Sequence, residues 1–206
     1  MKLSQGALPR LEIFIQPIEI KGFQHMPVVL CEHDPNWKEE AEKIICDLQQ
    51  ALLDNVTGFE HVGSTAIPGI KAKPKLHIDI LLKPSADLGE LRRRLVSAGY
   101  ADHGNRFRPD EVQLTRQTAK RLAFDHPNQN ETLMNHRVCL CKAGCAAAAD
   151  RVAFRDRLIS ERTLALRYEA LKERLASNHK TGPFWSDYSA GKTAFIKEVL
   201  ASPIGR

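Results

Sequence analysis

The sequence predicts an α/β fold of the α+β kind: a mixed sheet flanked by helices, with a helical C-terminal part. Three observations predict it. Apolar residues recur at helical spacing as Trp37, Ala41, Ile44, Ile45, Leu48 and Leu52. Residues 76–82 alternate, with Leu76, Ile78, Ile80 and Leu82 on one side and His77, Asp79 and Leu81 on the other. From residue 145 onward the apolar spacing is helical alone. A period near 3.6 marks one face of a helix and a period of 2 marks one face of a strand.

The elements follow in order. Asp34-Pro35 predicts a helix start, because Asp caps well and Pro at a first helical position forfeits no hydrogen bond. That helix runs to about residue 53. Phe59 to Val62 reads as a short strand entering a Gly63-Ser64 turn, and Lys83-Pro84-Ser85 ends the strand over 76–82. Asp87-Leu88-Gly89-Glu90 has the form of a capping box, opening a helix that stops at Gly99. Strand-like pieces follow at 100–102, 111–115, 121–124 and 136–141, with a turn over Asp125-His126-Pro127-Asn128-Gln129-Asn130. Three C-terminal helices are marked by Phe154, Leu158 and Ile159, by Leu164, Tyr168, Leu171 and Leu175, and by Tyr188, Phe195, Ile196 and Val199.

Composition bounds the function. The chain of 206 residues is long enough for one sizeable core, and its 43% hydrophobic and 27% charged residues are those of a soluble globular protein. No apolar run approaches the roughly 20 residues that cross a bilayer. No secretory signal is read at the N-terminus, and residues 1–27 read as an extended segment ahead of a single domain over 28–202. The five cysteines, an odd number, are expected to be reduced thiols in a cytoplasm. Cys139, Cys141 and Cys145 are read as packing thiols: Cys139 and Cys141 share one face of a predicted strand with a single residue between them, where paired structural zinc ligands usually leave roughly two to four. A net charge of +5 favours polyanionic partners such as nucleotides. Nucleic acid is not indicated: the sequence has no interleaving of arginine with aromatic residues.

The chemistry concentrates in His61-Val62-Gly63-Ser64-Thr65-Ala66-Ile67-Pro68-Gly69 and the strand that follows Lys73-Pro74. Glycine lets the backbone approach an anion, and N–H groups in such a turn can form a nest. Residues at alternating strand positions share a side and can share one metal ion. A Gly-Ser turn, a loop and then an acidic strand suit a nucleoside triphosphate with a divalent metal. Asp79 is the candidate metal ligand, its alternative being an ion pair with Lys73 or Lys75. His77 is a ligand, a hydrogen-bond partner or the mark of lost chemistry. Asp125, Glu111 and Asp110 are candidates for a further carboxylate, and Arg137 or His136 for a cation facing the site. Gly191-Lys192-Thr193 resembles the end of a P-loop but lacks the earlier glycine, position 186 being Ser.

These residues also carry a family resemblance. The stretch His61 to Gly69 with Ala72-Lys73-Pro74 resembles the signature of the GrpB family of the nucleotidyltransferase superfamily. Asp34-Pro35-Asn36-Trp37, Gly99-Tyr100, Phe154-Arg155-Asp156, Tyr168 with Leu171-Lys172, and Lys192 with Phe195-Ile196 fall in the family's order. The resemblance implies a nucleotidyltransferase-like mixed sheet and the transfer of a nucleotidyl group from a nucleoside triphosphate to an unidentified acceptor. It implies Gly63, Ser64, Thr65 and Lys73 at the nucleotide, and His77 and Asp79 as catalytic metal ligands for Mg²⁺ or Mn²⁺. One departure stands out: the superfamily places acids at both alternating positions, and here the first is His77. Imidazole suits Mn²⁺ better than Mg²⁺. The alternative is a non-catalytic nucleotide- or metabolite-binding domain on the same fold. On this reading Asp79→Ala removes metal and triphosphate binding with little effect on stability.

Overall fold

A computed structural model describes residues 28–105, 108–121, 131–178 and 185–202. The extended segment expected over 1–27, most of the strand expected over 121–124, and the turn bearing Asp125 lie outside them. Helix α1 (Trp37–Leu52) begins two residues beyond the expected proline. The Asp34 side chain accepts the Asn36 N–H at 2.9 Å, and the Asp34 carbonyl accepts from Trp37 at 3.0 Å, so Asp34-Pro35 builds the turn that leads in. Trp37, Ala41, Ile44, Leu48 and Leu52 are buried on one face, as the periodicity predicts.

A five-stranded mixed sheet follows, in the order β1 (Val56–Val62), β2 (Leu76–Leu82), β7 (His136–Cys141), β4 (Glu111–Arg116) and β3 (Ala101–Gly104). Only β2 and β7 are parallel; the other neighbours are antiparallel. A two-stranded ribbon, β5 (Ala119–Lys120) with β6 (Thr132–Leu133), lies outside the sheet. Leu76, Ile78, Ile80 and Leu82 pack with the apolar face of α1 and with Leu91 and Leu95 of α2 (Leu88–Ser97) in the main core. The capping box forms by half: the Asp87 side chain accepts the Glu90 N–H at 3.1 Å. Gly99 ends α2 with φ +89°, and the Tyr100 N–H reaches back to Leu95 at 3.0 Å, the six-to-one bond of a Schellman turn.

Helices α3 (Ala146–Ser160), α4 (Arg162–Asn178) and α6 (Thr193–Ala201) build a second core on the other side of the sheet. Its members are Ile67 and Ile70 from the loop after β1, then Phe154, Leu158, Ala165, Tyr168, Phe195 and Val199. The third helix expected from the sequence is two, α5 (Trp185–Ala190) and α6, separated by Gly191-Lys192. A Cβ at Gly191 would lie 2.5 Å from Leu175 Cδ2, so this turn packs closely on α4 and a larger residue would displace the Leu175 side chain. The apparent P-loop ending is therefore a helix–helix turn. Among the described residues no helix is long and apolar enough to cross a membrane.

Candidate functional site

The polar side of β2 faces the second core. Residues opposite each other across a ladder point to the same side of a sheet. The register sets Glu60, Asp79 and Cys139 in one row, and Val62, His77 and Arg137 in the next. Beyond Val62 the chain turns at Gly63, with φ +78°, a conformation in which a Cβ would also sit 3.0 Å from His77 Nδ1. Glycine is required here on both counts. The turn thus lies directly on the His77 ring.

The candidate nucleotide-binding residues of this turn differ in their surroundings. The Ser64 hydroxyl shares a hydrogen bond with Tyr168, whose own pKa burial pushes up to about 12. Thr65 is buried, its Oγ1 3.0 Å from His61 Nε2, and ties the turn back to β1. Burial first, and the Arg155 charge second, hold the His61 pKa down at about 4, so this ring is neutral near pH 7.

His77 Nδ1 lies 3.2 Å from Arg137 Nη2, so the ring accepts from the guanidinium and carries its proton on Nε2. Burial, then the charges of Arg137, Lys75, Lys192 and Lys73, keep it far below the usual imidazole range. Asp79 is 1% exposed, and its partner is Arg151 of α3 rather than Lys73 or Lys75. Arg151 Nε donates to Asp79 Oδ2 at 2.7 Å, and Arg151 Nη2 donates to Glu111 Oε2 at 2.7 Å. Glu111 is 3% exposed. Burial raises the Asp79 pKa above the ordinary carboxylate value, and the Arg151 charge opposes that. Glu111, Cys141 and Cys145 bring one ligand atom each to within 4.8 Å of one another, but Arg151 Nη2 also lies 3.5 Å from Cys141 Sγ.

Cations gather around His77. Lys73 Nζ lies 4.7 Å and Lys192 Nζ 4.6 Å from the centroid of the Tyr188 ring. Burial lowers the Lys73 pKa to about 7, aided by Lys192, Lys75 and Arg137. Burial and Arg137 lower Lys192 to about 8. Lys172, over the Tyr168 ring at 4.9 Å, is lowered by burial to about 8 and donates to the Lys71 carbonyl. Buried like charges weaken each other's hold on a proton, and an anion among them reverses the effect.

These depressed values predict a pH dependence. Between about 7 and the ordinary lysine value of 10.5 the unfolded chain binds more protons at Lys73 than the folded one. Stability therefore rises with pH across this window. The window closes near pH 9, where the buried Cys139 thiol, pushed up to about 12, acts with the opposite sign. The unliganded protein is expected to melt at a higher temperature at pH 8.5 than at about pH 7. A flat profile in a calorimetric series would show that the lysines are not buried as charges.

The two side chains considered on β7, Arg137 and His136, separate by register. His136 stands opposite Leu76 and lies in the main core, accepting from the Tyr100 hydroxyl at 2.7 Å and donating to the Met134 carbonyl at 2.6 Å. Adjacent strand residues face opposite ways, so only Arg137 reaches the site. Arg121 is also remote: it is buried against Asp47, with bonds of 2.9 and 2.6 Å. Arg155 binds Glu60, Asp156 and the His61 carbonyl, a docking role. Of the further carboxylates, Glu111 joins Asp79 through Arg151, Asp110 hydrogen-bonds Cys145, and Asp125 lies outside the described residues. Arg151 is not singled out from the sequence, and Tyr188 reads there only as a packing residue of a C-terminal helix. The available signal for Arg151 was its spacing of one helical turn from Arg155.

The sequence profile of the family described as GrpB protein matches residues 27–202. The chain belongs to the GrpB family. A UPF0157 protein of Deinococcus radiodurans is 36% identical over 141 residues, which are 68% of this chain and 64% of that one. The glutamate-rich protein GrpB of Alkalihalophilus pseudofirmus is 28% identical over 180 residues, 87% of this chain and 97% of that one. The crystal structure of the conserved protein GrpB from Enterococcus faecalis superposes with a TM-score of 0.68 at 25% identity, over 83% of this chain and 94% of that one. The mixed sheet with its flanking helices is thus a GrpB fold.

The superfamily to which the resemblance points implies a divalent ion between acidic residues. The donor set here does not fit one. Asp79 and Glu111 are both engaged by one guanidinium, His77 accepts from another, and the neighbouring side chains are cationic. Mg²⁺ requires oxygen ligands in near-octahedral array.

Proposed function

We propose that this GrpB family chain binds a nucleoside triphosphate, with its phosphates among Lys73, Lys75, Arg137 and Lys192 beside the Gly63-Ser64 turn. The observation that carries this reading is the grouping of cations here: Arg137 Nη2 lies 3.2 Å from His77 Nδ1, Lys73 and Lys192 share the Tyr188 ring, and burial and repulsion from positive neighbours depress the lysines. A polyanion relieves that repulsion and gains strength from the low local dielectric. The tight glycine turn brings backbone onto the His77 ring, beside these cations. Ser64 is hydrogen-bonded to Tyr168, and Thr65 secures the turn.

Binding without turnover is the reading the geometry favours. A second reading, nucleotidyl transfer to an acceptor, is favoured by Asp79 and Glu111 lying within reach of a single cation. Incubation with labelled triphosphates separates the two. Saturable binding with no pyrophosphate released supports a binding domain, and stoichiometric pyrophosphate supports a transferase. No binding of any triphosphate overturns both. The same ligand supplies a stability readout: at a concentration about a hundredfold above Kd it adds about 2.7 kcal/mol to the folded state.

A further inference from the structure

Asp79 and Glu111 stand on β2 and β4, with β7 between them. Two carboxylates buried this deeply repel each other unless a cation joins them. The cation is internal. Arg151 reaches across from α3 and places a nitrogen 2.7 Å from an oxygen of each. Its backbone is held on the sheet by the buried Ala147 and Ala148 on one side and by Phe154 and Leu158 on the other. A guanidinium is permanently charged and planar, with fixed donor directions, which suits it to bridge two carboxylates as a metal would.

We propose that Arg151 occupies the place of the divalent ion between Asp79 and Glu111, so that this chain takes its polyphosphate ligand as the free anion, without a metal. A divalent ion brings two charges where Arg151 brings one. Arg137 makes up the difference: the register sets it opposite His77, which it meets at 3.2 Å, two residues along β7 from the partner of Asp79 and on the same side of the sheet, and its charge acts on both. The departure at His77 has its place in this arrangement. An acid there would attract a metal, whereas a neutral ring accepts from Arg137 and leaves the guanidinium's charge for the ligand. A pocket of this sign favours the more highly charged free triphosphate over its magnesium complex.

The nucleotide half of this inference rests on the proposed function; the metal half does not. Mn²⁺, followed by electron paramagnetic resonance, is the probe for the metal half. The wild-type protein is expected to bind no Mn²⁺ at sub-millimolar concentration. Arg151→Met, which frees both carboxylates, is expected to gain at least tenfold in Mn²⁺ affinity. That gain is expected to vanish in Arg151→Met/Asp79→Asn and to be absent in Arg151→Lys. Should Arg151→Met fold only when Mn²⁺ is added, the inference is supported equally. Wild-type Mn²⁺ binding that Asp79→Asn removes overturns it, as does a folded Arg151→Met with no gain. If Arg151→Met folds under no condition, the wild-type titration decides alone. For the nucleotide half, ATP is titrated by calorimetry in EDTA and in excess Mg²⁺. Affinity in EDTA equal to or above that in Mg²⁺ is expected, and binding that requires Mg²⁺ overturns the inference. Absence of ATP binding in both overturns the proposed nucleotide site and leaves the Mn²⁺ result to decide the role of Arg151.

Discussion

Lys73→Met and Lys192→Met together are expected to remove triphosphate binding and, in the same protein, to raise the melting temperature of the unliganded state. The two effects have one cause. Burial and cationic neighbours weaken each lysine's hold on its proton, which is why their pKa values fall to about 7 and about 8. Methionine keeps most of the side-chain volume and discards the charge. A charged hydrogen bond contributes about 1.5–3 kcal/mol, so losing two is expected to weaken ATP binding by more than about a hundredfold. The apo protein is relieved of the same repulsion. In a domain of this size each kcal/mol gained raises Tm by about 2–4 °C. Opposite movements of stability and binding are the usual mark of a functional site. Calorimetric titration and thermal melts of the single and double variants measure both. A double variant that melts lower and binds ATP unchanged would make the lysines structural and remove them from the site.

Much of the frame was legible from local pattern. The alternation over Leu76–Leu82 gave a strand with those bounds, because a half-polar strand declares its faces residue by residue. The capping residue Asp87 and the terminator Gly99 act within their own helix, and both were readable. What remained hidden depends on partners distant in the chain. Arg151 is 72 residues from Asp79 and meets it only because α3 crosses the polar side of the sheet. Choosing Arg137 over His136 needs the register of β7 against β2. Lys192 sits in a turn packed against Leu175 of α4, and its motif-like neighbours, which do not make a phosphate loop, leave the lysine itself unassigned. The acidic strand itself was visible, but the cation that answers it was not. For that reason the sequence shows Asp79 and Glu111 but not the arginine that joins them.

Asp79→Ala is expected to destabilise the protein by about 3 kcal/mol or more, far beyond the modest, surface-like change that the strand pattern alone suggests. The difference lies in burial. Asp79 is 1% exposed and bonded to Arg151, and removing one partner of a buried pair leaves the other uncompensated, at about 3–5 kcal/mol. Glu111 still holds Arg151 in the variant, which sets the expectation at the lower end of that range. Asp47→Ala provides a structural comparison. Asp47 is also 1% exposed and is bonded twice by Arg121 in the main core, away from the basic pocket. Both variants are expected to lose comparable stability in urea melts, while only Asp79→Ala changes ATP affinity. Replacing the whole bridge by apolar side chains, as Asp79→Leu, Glu111→Met and Arg151→Met together, is expected to restore most of the lost stability, since exchanging a buried ion network for hydrophobic residues of similar volume is often neutral. The restoration measures coupling that the single variants do not add up to. An Asp79→Ala protein that melts with the wild type, or a triple variant less stable than the single, would show that the three side chains do not act as one buried unit.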